Sequence, residues 1–113
     1  MAFNVTLEMT DKGIAKIALV GELDGSVAPD FKAAVENAAE QGAKRLVLLM
    51  KDLEYMSSAG LRVLIFAKQK MGRDVDVYMI GAQETVMETI TMTGFHHSVI
   101  VLDEYDAAEI ENI

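Results

Sequence analysis

The chain is predicted to fold as an α/β domain, a mixed and mostly parallel sheet with helices in the order β-β-α-β-α-β-α-β-α. Three observations predict it. Short apolar runs of strand length alternate with segments whose apolar residues recur at helical spacing, and such alternation implies right-handed crossovers between parallel strands. The run Leu46-Val47-Leu48-Leu49-Met50 is apolar throughout, as a strand buried on both faces must be. The first two apolar runs are separated only by Thr10-Asp11-Lys12-Gly13, whose turn chemistry implies an antiparallel hairpin.

Taken in order, Phe3, Val5, Leu7 and Met9 alternate with Asn4, Thr6 and Glu8, which predicts a strand with one apolar face. Ile14 to Val20 is the second strand, and Gly21-Glu22-Leu23-Asp24-Gly25 is expected to break it. Ser26 is positioned to cap a helix whose Phe31, Ala34, Val35 and Ala38 share a face, with Pro29 in the first turn and Gly42 at the end. Behind the central apolar run, Leu61, Leu64, Ile65 and Met71 form a helical stripe widened by Val63, Phe66 and Ala67, so a helix starts near Ser57. Gly72-Arg73-Asp74 is a turn, and Val75 to Ile80 is a further strand closed by Gly81. Gln83 to Thr93 carries Val86, Met87 and Ile90 at helical spacing, with Gly94 as its stop. Ser98 to Leu102 is a last short strand, followed by a short acidic helix containing Ala107, Ala108 and Ile110, with Asp103 as its expected cap.

No linker-like stretch interrupts the 113 residues, so a single domain over residues 1–113 is expected. A hydrophobic content of 51% with 25% charged residues is that of a globular protein, and no apolar run approaches the roughly 20 residues that span a bilayer. The first residues lack a basic segment followed by an apolar core, and there is no cysteine, so a cytoplasmic location is the default. Eighteen acidic against ten basic residues give a net charge of −8, which repels nucleic acid and anionic lipid and suits a basic partner surface.

The residues with chemical potential gather at Ser57-Ser58-Ala59-Gly60. Serine is a preferred N-cap because its oxygen accepts from a first-turn N–H that has no intrahelical partner, a role that fits Ser57. Ser58 then lies in the first turn, where the helix dipole favours an anionic group, and the small Ala59 and Gly60 allow close approach by another protein. If the strands before Asp24 and before Ser57 are neighbours, both residues lie at the carboxyl edge of the sheet, where sites form in open α/β folds. Asp24 is read either as part of that surface or as a loop carboxylate bonded to nearby backbone. Glycine-rich phosphate loops and a Gly-x-Ser-x-Gly elbow are absent, so no enzyme activity, cofactor or metal is expected. His96-His97, adjacent at a strand entrance, would point to opposite faces and share no ligand.

A strand, an Asp-x-x-aromatic/apolar-x segment (from Asp52) and Ser57-Ser58-Ala59-Gly60-Leu61 entering a helix resemble the signature of the STAS domain, found in bacterial anti-sigma factor antagonists. The resemblance runs along nearly the whole chain and includes Gly21-Glu22-Leu23-Asp24. It implies that the serine two positions before the Gly-Leu pair, here Ser58, is phosphorylated by a partner anti-sigma factor that is also a serine kinase. Many members carry Asp directly before that serine where this chain has Ser57, which makes Ser57 the alternative hydroxyl. The implied function is a phosphoprotein that, unphosphorylated, binds the anti-sigma factor and frees the sigma factor. Phosphorylation switches it off and a phosphatase resets it. Asp24, Ser57, Ser58, Ala59 and Gly60 would form the partner-binding surface. Two alternatives stay open: a small-ligand or nucleotide sensor using the same edge, and a STAS subunit of a larger signalling or transport assembly.

Overall fold

The computed structural model describes residues 2–113. Strand β1 (Asn4–Met9) turns through Thr10–Gly13 into β2 (Ile14–Leu23), and the two pair antiparallel from Asn4↔Val20 to Met9↔Ala15. Helix α1 (Ala28–Glu40) returns the chain to β3 (Arg45–Leu49), parallel to β2. After β4 (Leu53–Met56) come α2 (Ser58–Met71), β5 (Asp76–Ile80), α3 (Glu84–Thr91), β6 (Ile100–Leu102) and α4 (Ala107–Ile110). The sheet order is β1-β2-β3-β5-β6, with every pairing after the hairpin parallel.

Alternation along the strands divides the interior in two. Leu46, Leu48, Val77 and Met79 face α1, α2 and α3, packing with Phe31, Val35, Leu64, Val86 and Ile90 in the main core. Val47, Tyr78 and Ile80 point the other way, onto a smaller cluster closed by Ile110 of α4. Arg45 fastens that C-terminal segment. Its guanidinium donates to the carbonyls of Glu109 (2.6 Å), Ile110 (2.9 Å) and Asn112 (3.3 Å), which is the favourable place for a cation at a helix C-terminus.

Five local expectations are corrected. The glycine at 21 does not end β2: it is a bulge (φ 95°) at which the register shifts, and the strand continues to Leu23. Leu53–Met56, which the predicted element order leaves out, is the strand β4 that pairs with this extension; its burial does not alternate, so periodicity had no signal to report. Ser26 does not cap α1, whose N-cap is Val27, and Asp103 does not cap α4, whose N-cap is Asp106, accepting from the Glu109 amide at 3.3 Å. His96 and His97 lie in a 3-10 turn over Phe95–Ser98 rather than at a strand entrance. Successive side chains there are about 120° apart rather than 180°, and the rings meet with centroids 3.9 Å apart.

Leu48 is fully buried on the helix-covered face of the sheet. Truncation to alanine leaves a cavity between rigid elements, so Leu48→Ala is expected to lower stability by about 2–5 kcal/mol. A urea midpoint unchanged from the parent would contradict that placement.

Candidate functional site

Two loops meet at the carboxyl end of β2. The pairing Leu23↔Met56 brings the ends of β2 and β4 side by side, and the Ser57 amide donates to the Leu23 carbonyl at 2.9 Å. Asp24 follows one of these strands and Ser57-Ser58 the other; the two strands of the expectation, β2 and the apolar run that forms β3, are parallel neighbours, and the unpredicted β4 adds a direct pair with the end of β2. The loops are in near contact: a β-carbon built on Gly25 would lie 3.8 Å from that of Ala59.

The two serines have different tasks. Ser57 is half-buried, with extended backbone (ψ 173°), and its Oγ accepts from the Gly60 amide at 3.3 Å as the N-cap of α2. Ser58, the first helical residue, is exposed, and its hydroxyl has no partner among the described residues. The first turn of α2 contains no acidic side chain, which leaves its free N–H groups and dipole uncompensated next to that hydroxyl.

Gly60 is buried. A β-carbon at this position would come within 2.7 Å of Leu23 Cγ and 3.1 Å of Met56 Cγ, so its lack of a side chain admits Leu23 of the same chain. The closeness expected to serve a partner is used internally, to dock α2 on the end of β2. Tyr55, half exposed on β4, adds an aromatic surface; in the sequence it figures only as the aromatic of the segment that begins at Asp52.

Asp24 is fully exposed and shaped by its own loop. Its Oδ1 accepts from the Ser26 amide (2.9 Å) and hydroxyl (2.6 Å), and its carbonyl accepts from the amides of Val27 and Ala28, opening α1. The Ser26 hydroxyl and amide hold its carboxyl below the ordinary value of 3.8. Ser26 thus serves the site as the residue that fixes Asp24, which its reading as a helix cap concealed. An Asp-x-Ser turn was the legible sign.

With this geometry in hand, comparison with known proteins is decisive for the family: the STAS domain model matches residues 8–108. The chain belongs to the STAS domain family. BtrV of Bordetella bronchiseptica, assigned as an anti-sigma factor antagonist, is 30% identical over 105 residues, which cover 92% of this chain and 90% of that protein. Among solved structures, an anti-sigma factor antagonist from Mycobacterium paratuberculosis superposes with a TM-score of 0.88 at 19% identity, covering 98% of this STAS domain and 96% of its own chain. The anti-sigma factor antagonist SpoIIAA in its unphosphorylated form superposes with a TM-score of 0.82 at 21% identity, covering 97% and 98%. The same protein from Bacillus is also solved in a phosphorylated form, with a TM-score of 0.73 at 19% identity over 96% and 97%. At these identities the structures establish a shared STAS fold, while the family rests on the domain match and on the BtrV relative.

Two outcomes check the site's construction. Gly60→Ala forces a methyl group against Leu23, so the urea midpoint should fall by the equivalent of about 1–3 kcal/mol; an unchanged midpoint would mean that α2 does not dock this closely. In a carboxyl NMR titration, Asp24 should protonate below 3.8, and in Ser26→Ala closer to it. Because the folded value is the depressed one, the stability linked to Asp24 is present above the unfolded value and lost as pH falls through the folded one. A parent midpoint at or above 3.8 would remove the Ser26 clamp.

Proposed function

We propose that this STAS domain is an anti-sigma factor antagonist that works by partner switching, with Ser58 as the switch. The observation that carries the reading is the division of labour between adjacent serines: Ser57 is engaged as a cap, whereas Ser58 is exposed with a free hydroxyl on the turn that meets the Asp24 loop. Unphosphorylated, the edge formed by Asp24, Ser57, Ser58 and Ala59 binds an anti-sigma factor with serine kinase activity and releases the sigma factor. Gly60 supports this surface from beneath. The partner supplies Mg-ATP; Ser58 Oγ attacks the γ-phosphorus, its proton passes to a base of the kinase, and ADP leaves.

The modified protein carries about −1.5 to −2 additional charge at the centre of the contact, where desolvation and like-charge repulsion cost several kcal/mol, enough for a hundredfold or greater loss of affinity. The uncompensated first turn of α2 tolerates the phosphate, so the fold persists while the partner is lost. A phosphatase then resets the switch. On this reading the domain binds and is acted upon without being an enzyme, and it works in the cytoplasm; no helix among the described residues is long and apolar enough to cross a membrane.

A small-ligand reading draws on a different feature, a cleft of about 360 Å³ at the carboxyl ends of β3 and β5, floored by Leu49 and Ile80 and walled by Tyr105. Lys51 is its one cation, opposed by Asp103 and Glu104, so the cleft lacks the chemistry that holds a nucleotide's phosphates.

Incubation with the cognate kinase and ATP should add one phosphate, mapped to Ser58 by mass spectrometry. Ser58→Ala should stay folded, resist modification and still bind, and Ser58→Asp should bind more weakly. Ser57→Ala should act on stability instead, by about 0.5–2 kcal/mol through the lost cap. Phosphate on Ser57, or parent-like binding by Ser58→Asp, would refute this division of roles.

A further inference from the structure

Beside the Ser58 turn, α1 and α2 enclose a groove of about 210 Å³ lined by Lys32, Ala59, Arg62, Val63 and Phe66. Four of these lie on α2 at 59, 62, 63 and 66, one stripe of a helix, and Lys32 projects from α1 with its Nζ 5.0 Å from the centre of the Phe66 ring. The groove thus has an apolar floor and a cation on each wall. Both cations are exposed, and neither forms an ion pair among the described residues, where Lys12 with Glu111 is the pair present. In a chain of net charge −8, two unneutralised cations converging on one small groove are a local reversal of sign.

We infer that this groove is a specificity subsite that receives one carboxylate side chain, Asp or Glu, of the anti-sigma factor. The inference rests on the reading that the Ser58 surface meets such a protein, and it names the chemistry by which the partner is held in register. A carboxylate fits because guanidinium offers it two parallel N–H donors while the ammonium closes the other side, and the carbon stem of the incoming residue covers Val63 and Phe66. Size argues for a single side chain: nucleotides and other small ligands occupy roughly 300–1,000 Å³, more than the groove holds. Charge argues against a polyanion, which the net −8 repels before it arrives. The groove begins at Ala59, the residue after Ser58, so a side chain seated there lies within the same contact and fixes where the kinase active site falls relative to the hydroxyl.

The test is calorimetric titration of the purified cognate anti-sigma factor into the parent and into Lys32→Glu, Arg62→Glu and the double variant. Lys70→Glu, on the exposed far end of α2, controls for the general effect of charge. Each groove substitution is expected to weaken binding by about tenfold or more, and the control by less than about threefold. Urea midpoints should stay near the parent's, since both side chains are exposed. As a substrate of the kinase, the double variant should show a raised KM with kcat largely retained, because the groove holds the chain without touching the reacting atoms. Replacing, one at a time, the anti-sigma factor's exposed Asp and Glu residues by Lys should reveal one that restores binding to Arg62→Glu. If the double variant binds no more weakly than Lys70→Glu, the subsite is overturned while the Ser58 reading stands; if the anti-sigma factor forms no complex even with the parent, both are overturned.

Discussion

The parallel pairing of the end of β2 with β4 is the constraint on which the site depends. It is only a few residues long, yet it ends in the Ser57-to-Leu23 hydrogen bond and in the packing of Leu23 against Gly60, which together fix the start of α2 to the end of β2. Hydrogen bonding and close packing converge here on Leu23. A side chain at position 60 would push the helix start outward, and the Asp24 loop, in near contact with Ala59, would separate from it. Placement of the exposed Ser58 hydroxyl is therefore inherited from buried contacts one or two residues away.

Cap and proposed switch are separated by the same geometry. The Ser57 side chain reaches the Gly60 amide, a position that commits one lone pair of its oxygen to the helix. Ser58, one residue on, has helical backbone and nothing to bond. Ser57 sets the helix start as a cap while placing a second hydroxyl next to that of Ser58. The cap also gives the neutral residue the internal role and leaves the first turn free of fixed negative charge, which is where a phosphate can be tolerated by the fold.

The two faces of the sheet are covered unequally. Helices α1 to α3 close one face over the main core, whereas the other is closed by a short C-terminal segment held by Arg45 and by Tyr105, whose hydroxyl donates to Glu111 at 2.6 Å. Burial and that carboxylate push the Tyr105 phenol up to about 12, so this contact keeps its proton across the ordinary pH range. The candidate site lies at the edge where β2, β4 and α2 converge, on the helix-covered side of the sheet.

Much of this was legible in the residues themselves, and the reason is that the legible parts are local. The apolar run of β3, the helical stripe from Leu61 to Met71 and the cap at Ser57 each follow from periodicity or from the needs of unpaired backbone within a few positions. The STAS signature combines two such local motifs, Gly21-Glu22-Leu23-Asp24 and the segment from Asp52 to Leu61. Tertiary structure alone decided the rest: that Gly21 bends a strand instead of ending it, that Leu53–Met56 is a strand, that Gly60 is small for the sake of Leu23, and that Ser26 serves Asp24 and not the helix. It also brought Lys32 and Arg62, thirty positions apart, to the walls of one groove. Each of these depends on a partner distant in sequence or on a choice between two equally satisfied hydrogen-bonding patterns, and local spacing contains no term for either.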